Sequence, residues 1–235
     1  MKVKVVQCWD DGVYTDLRLT DLLRKYNAKA TFNLCPGFLH DTDRQMSSWA
    51  RPNDNIPGGH MGFRAGKIAK KDIPLIYDGF QLASHCWAHE TVGRCSDEEV
   101  IKAACDARKY LEDAVGRECR GFAWPCGVFS PETCQGLREN GFAYGRTTLN
   151  TDDVTQCTDP IQLATNCHFM SRDFYTRYEA AKKTGVFYFW GHSYEMLDYD
   201  RLWEQFEYKL QFISEDPDAE WADVIDIVPL LKGSN

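Results

Sequence analysis

No stretch of this sequence approaches the roughly 20 consecutive apolar residues that a membrane-spanning helix requires, so no such span is expected. A basic cluster is missing too. Lys and Arg number 27 against 35 Asp and Glu, a formal charge of −8. The scattered cations argue against a nucleic-acid backbone or an anionic membrane as partner. None of the ten cysteines forms a Cys-x-x-Cys pair, which removes the usual signature of a thiolate metal cluster or redox couple. Most are expected to be reduced and packed as small apolar residues. Cys8, Cys86 and Cys126 adjoin the motifs described below, so thiol reagents are expected to inhibit indirectly. Repeats, low-complexity tracts and linkers are also lacking, and residues 1–235 are read as one domain, a length that barrels commonly fill. The opening MKVKVVQCW alternates like a strand and has no long apolar core of a signal peptide, so the expected location is cytoplasmic.

What is present is an alternation of strand-like and helix-like segments. VKVVQCW leads to DLRLTDLLRKYN and then KATFNL; GFQLASH leads to SDEEVIKAACDARKYLEDAVG and then RGFAW. Ser96 with Glu99 is a capping box, and Ile101, Ala104, Cys105, Leu111 and Val115 recur with helical period. Ser130-Pro131 opens another helix, which Gly141 closes. VFYFWGH is a strand, DYDRLWEQFEYKLQFIS a helix buried through Leu202, Trp203, Phe206, Leu210 and Ile213, and ADVIDIV a last short strand. This order predicts an α/β fold with mostly parallel strands and outer helices, closed or nearly closed into a barrel. Working residues then belong at the C-terminal ends of strands. The long irregular stretch 35–67 is expected over that same rim.

Strand ends hold Asp10-Asp11, SHCWAHE (84–90), WPCG (124–127), GRTT (145–148) and WGHSYE (190–195). His85 and His89 lie four apart, one helical turn, so both imidazoles can face one way. Two such histidines and one carboxylate, from Asp10 or Asp11, make a three-ligand divalent metal site. The second carboxylate is then free to act as general base. His192 ends the late strand.

Asp-Asp-Gly after a first strand, KATFNL as second strand, His-x-x-x-His after a third, a Pro-x-Gly turn and a late strand ending in His occur in that order. Together they resemble the polysaccharide deacetylase family (NodB homology, carbohydrate esterase family 4) over roughly residues 3 to 195. The resemblance implies a distorted (β/α)7 barrel and a hydrolase of carbohydrate metabolism. It implies Asp10 as catalytic base, Asp11, His85 and His89 as metal ligands, and His192 as general acid. It assigns oxyanion and substrate contacts to the Pro125-Cys126-Gly127 turn, chiefly the Cys126 N–H. Trp190, which flanks the last motif, is expected in an aromatic pocket wall. Zinc is the default cation, with Co, Ni, Mn or Fe suited to similar ligands.

Two departures stand out. Cys86 replaces the usual Ser or Thr after the first histidine. The usual Arg-Pro-Pro-Tyr-Gly reads Ala123-Trp124-Pro125-Cys126-Gly127, so the base-holding arginine is missing. Arg146, one strand later, is expected to reach Asp10 instead; the competing reading is a rim salt bridge to Asp152 or Asp153. Glu195 or Asp198 is expected to keep His192 protonated. One or two of Trp9, Trp87, Trp124 and Trp190 should face substrate; Trp49 and Phe63 in the long loop are expected either to form a lid or to be disordered, and His60 is not expected to be a ligand. The expected activity is removal of N-acetyl groups from an acetylated sugar or related small amide. The alternatives are a cyclic-amide hydrolase of the same fold and a carbohydrate-binding relative without turnover.

Overall fold

The computed structural model describes residues 2–51 and 59–234. Its strands are β1 (Val3–Asp10), β2 (Thr31–Leu34), β3 (Ser48–Trp49), β4 (Gly59–His60), β5 (Phe63–Arg64), β6 (Gln81–Ser84), β7 (Gly121–Ala123), β8 (Tyr144–Asn150), β9 (Leu163–Thr165), β10 (Cys167–His168), β11 (Val186–Gly191) and β12 (Ala219–Trp221). The helices are α1 (Asp16–Lys25), α2 (Ile73–Ile76), α3 (Asp97–Val115), α4 (Pro131–Glu139), α5 (Phe174–Ala181), α6 (Asp200–Ser214) and α7 (Val224–Ile227). The main sheet runs β10-β11-β1-β2-β6-β7-β8-β9, with β12 also beside β1, and every pairing within it is parallel.

The two ends of that path, β9 and β10, are separated in the chain only by Asn166. Asn166 donates its backbone N–H to the Tyr188 carbonyl at 2.7 Å, and its side-chain oxygen accepts the Tyr188 N–H at 2.7 Å. One broken strand thus bridges β8 and β11. With β9 and β10 as a single position, the sheet has the seven positions of a nearly closed, distorted (β/α)7 barrel.

Period-two alternation places Val6, Cys8, Tyr144, Val186 and Tyr188 in one buried cluster, to which α7 adds Val224 and Ile227. Val5, Trp9 and Phe32 pack in another with Leu19 of α1 and Phe206 of α6, and α3 and α4 cover Phe122 and Trp124. The expected capping box at Ser96 forms, and the helix start expected at Ser130 is closed by a capping box with Thr133.

Some local expectations are corrected. The buried face of α3 is Val100, Ala103, Ala104, Ala107 and Leu111, and Ile101, Cys105 and Val115 lie at its margin. Ile101 instead fills the space over Gly136 of α4, where a Cβ would meet its Cδ1 at 2.2 Å. ADVIDIV (222–228) is not a strand. Asp223 and Asp226 form a capping box that starts α7, and the strand is the preceding Ala-Glu-Trp. Within 35–67, β3, β5 and β4 make a small antiparallel sheet; residues 52–58 lie outside the described ones. Among the described residues no helix is long and apolar enough to cross a membrane. All ten cysteines are free, and Cys126 is exposed.

Candidate metal centre and active site

Adjacent strand residues normally point to opposite faces, so Asp10 and Asp11 should not share a cleft. The backbone resolves this. Asp10 ends β1, paired with Asn33 of β2. Asp11 then takes φ 83° and Gly12 φ 64°, a left-handed kink that Asp tolerates better than most residues. Lys67, returning from the long loop, donates to the Asp11 carbonyl at 3.1 Å, and the Ile68 N–H reaches the Gly12 carbonyl at 3.3 Å. The end of the loop, at Lys67, therefore docks on this rim.

Asp11, His85 and His89 place ligand-type atoms within 4.8 Å of one another. The His-x-x-x-His segment is a turn and not the expected helical one. It folds back through positive φ at Cys86 (62°) and His89 (61°), bringing the two rings to 4.8 Å. His85 is buried and its Nδ1 lies 2.8 Å from the Ala123 carbonyl. A carbonyl only accepts, so Nδ1 carries the proton and Nε2 presents a lone pair, 3.8 Å from Asp11 Oδ1. Burial lowers the His85 pKa to about 4, against the pull of Asp10 and Asp11. A neutral imidazole fixed by an outer hydrogen bond, beside an ionised carboxylate, is the donor set a divalent cation takes. The residues present fit such an ion. Cys86 turns away into the core, its Sγ 3.8 Å from the Val100 carbonyl.

Asp10 is 2% exposed. It accepts from Asn33 Nδ2 at 2.7 Å and from Arg146 Nη2. Burial opposes its charge, but the Arg146 guanidinium, with His85, His192 and Asn33, holds the carboxyl well below the usual range. Arg146 is itself 1% exposed, with its guanidinium 4.9 Å from the centre of the Trp190 ring. Its register partner on β7 is Ala123, the position at which the sequence lacks the expected arginine. The cation is thus delivered at the same barrel level from the next strand. Asp152 pairs with Arg177 instead, and Asp153 caps the turn at Thr155.

Across the cleft, His192 Nε2 lies 3.8 Å from Asp10 Oδ2. Glu195 Oε2 accepts the His192 backbone N–H at 2.9 Å and lies 3.4 Å from its Nδ1. Burial alone would lower the His192 pKa; Glu195, Asp10 and Asp11 outweigh it and raise it to about 9. Glu195, not the exposed Asp198, is therefore the acid at His192. Three contributors escaped the sequence reading. Asn33 orients Asp10. Buried Asp16, which accepts from Ser193 Oγ at 2.5 Å and Tyr77 Oη at 2.7 Å, ties the His192 loop to α1. His168 contacts Glu195 at 2.8 Å. Only the cross-strand register of Asn33 was available as a sequence signal.

Pro125-Cys126-Gly127 forms a tight turn with Cys126 at φ 55° and Gly127 at φ 71°. Among the described residues the Cys126 N–H has no protein acceptor. A Cβ on Gly127 would sit 2.2 Å from Thr148 Oγ1. Gly127→Ala is expected to destabilise the fold by about 1–3 kcal/mol, the range for a strained left-handed residue, read from urea denaturation; an unchanged midpoint would contradict it. Trp9 and Trp124 are core residues, their indole N–H groups bound to Gln7 at 2.9 Å and the Ile161 carbonyl at 2.7 Å. Trp87 and Trp190 are half-buried. Trp49, exposed, stacks edge-on with buried Phe63 at 5.2 Å, and His60 is outside the ligand cluster.

Residues 2–145 match the family described as polysaccharide deacetylase. No curated protein matches the sequence. Among solved structures, a family 4 acetyl xylan esterase from Clostridium thermocellum in complex with a cobalt ion aligns at TM-score 0.56 and 18% identity, over 99% of this chain and 93% of that one. The Xyl-CE4 domain of a multidomain xylanase from the hindgut metagenome of Trinervitermes trinervoides aligns at 0.56 and 14%, over 97% and 90%. Peptidoglycan deacetylase PdaC from Bacillus subtilis aligns at 0.55 and 14%, over 97% and 91%. At these identities the structural likeness concerns the fold.

Proposed function

The chain belongs to the polysaccharide deacetylase family, and from that premise we propose that it is a metal-dependent hydrolase removing N-acetyl groups from an acetylated carbohydrate. One observation carries the reading: two neighbouring carboxylates are given different surroundings. Asp11 shares a cluster with two imidazoles, whereas Asp10 is buried against Arg146.

A divalent cation held by Asp11, His85 and His89, with zinc as the default, would supply Lewis acidity toward water and the acetyl carbonyl. Asp10 accepts the proton of the attacking water; its pairing with Arg146 keeps it ionised and aimed. The Cys126 N–H donates to the oxyanion that develops on the acetyl carbonyl, a type of contact whose removal costs about 100- to 1000-fold in rate. His192, protonated at neutral pH, gives its Nε2 proton to the departing nitrogen as the C–N bond breaks. Trp190, at the rim, offers a half-buried ring for the apolar CH face of a sugar.

The test is acetate release from N-acetylated chito-oligosaccharides by protein loaded with zinc or cobalt, with metal content measured in parallel. Turnover that disappears on chelation and returns with metal is the expected result. A folded, metal-loaded protein that releases no acetate from a broad panel of acetylated carbohydrates would overturn the reading.

A further inference from the structure

A second cluster, His168, His192 and Glu195, also brings ligand-type atoms within 4.8 Å, but its hydrogen bonds differ from those of the first. His168 ends β10, where its register partner is Trp190. Its Nδ1 accepts the Met170 N–H at 3.3 Å. The ring proton is therefore on Nε2, which points at Glu195 Oε2 at 2.8 Å. The ring is held between Phe169 and Trp190, with centroids at 4.8 and 5.0 Å. Gly191 makes the room: a Cβ there would meet Phe169 at 2.2 Å and His168 Nε2 at 3.2 Å. The nitrogen that would have to face a cation thus already donates a proton to the carboxylate.

We infer that His168 is a positioning residue for the proton donor, locking the Glu195 carboxylate that orients His192. This inference rests on the deacetylase reading above. Glu195 has three rotatable side-chain bonds, and its anchors are the His168 Nε2–H and the backbone N–H of His192. Without His168 the carboxylate keeps only the second and can turn away from His192 Nδ1, which lies 3.4 Å from it. The ionised groups facing His192 are Asp10 and Asp11 from the end of β1 and Glu195 from its own loop. Arg146 of β8 stands behind Asp10, and the Tyr194 ring lies 5.0 Å from the imidazole. Of these, Asp10 is set by Arg146 and Asn33, and Glu195 is set by His168.

The test compares leaving groups. A departing amine must be protonated, whereas p-nitrophenolate leaves without a proton donor. On an N-acetylated chito-oligosaccharide, His168→Phe is expected to lower kcat by about tenfold or more, part of the roughly 100- to 10,000-fold supplied by general acid–base catalysis. KM and metal content should hold, and p-nitrophenyl acetate hydrolysis should change by less than about twofold. His168→Gln, whose amide can donate to Glu195 from nearly the same position, should restore most of the loss. Equal losses on both substrates, no loss on the oligosaccharide, or a Gln variant as impaired as Phe would overturn the inference. If the wild-type protein releases no acetate, the deacetylase reading fails on its own, and the contact is read by ring nitrogen NMR. A slowly exchanging His168 Nε2–H that is lost in Glu195→Ala supports the inference, and an Nδ1–H tautomer overturns it.

Discussion

His89→Asn is expected to lose the divalent cation and, with it, acetate release, while melting close to the wild-type temperature. Asn tolerates the left-handed backbone at this position (φ 61°), so the change removes an imidazole without adding strain. Replacing even an outer partner of a metal site costs about 10- to 100-fold in affinity, and losing one of the three proposed ligands should exceed that. His85→Ala should show the same metal loss with an added fall in stability. His85 is 2% exposed and bonded to the Ala123 carbonyl, and a buried acceptor left unpaired costs about 1–3 kcal/mol. Metal analysis after dialysis, zinc titration calorimetry and denaturation distinguish the two variants. Wild-type zinc affinity in His89→Asn would remove the cluster from the mechanism.

Much of the barrel could be read from one dimension because its strands and helices carry local signals. The capping box at Ser96, the Ser-Pro helix start at Ser130, helical periodicity in α6 and the alternation of β1 each need only a few neighbouring residues. The α3 face was misplaced because alanines carry the buried stripe, and alanine hardly contrasts with its neighbours on a hydropathy scale. ADVIDIV misled because its β-branched residues outweighed a cap made by two aspartates. Closure through Asn166 was invisible, since a one-residue break between β9 and β10 has meaning only once β11 lies alongside.

In the site, the structure does bring His85 and His89 together, but for another local reason than their spacing suggests: a kinked turn, not a helix, does it. Arg146 was reachable because it lies one strand beyond Ala123, although β8 runs on to Asn150 and Arg146 sits within that strand and not at its expected end. His168 was not, because its partner Glu195 is 27 residues away and no pattern links them.

Asp10→Asn is expected to reduce kcat by about 1,000- to 10,000-fold, at the upper end for loss of a general base, with metal content retained because Asp11, His85 and His89 are untouched. Stability should fall as well. The change leaves the Arg146 guanidinium buried without its counter-ion, and breaking a buried pair from one side costs about 3–5 kcal/mol. Arg146→Met strands the carboxylate instead and should cut turnover far more than metal content, through loss of aim. Residues that act as one unit are not additive. The double variant should therefore be no slower than Asp10→Asn alone, and more stable than either single variant because neither charge remains buried unpaired. Acid unfolding supplies an independent check. Although burial opposes it, Arg146 holds the folded-state pKa of Asp10 below the ordinary value, so the pair stabilises the fold above the unfolded carboxylate pKa of about 3.9. That contribution is lost as pH falls from there through the folded value. Arg146→Met should accordingly move the acid-unfolding midpoint upward; an unmoved midpoint, or additive losses of turnover, would mean that the two residues touch without working together.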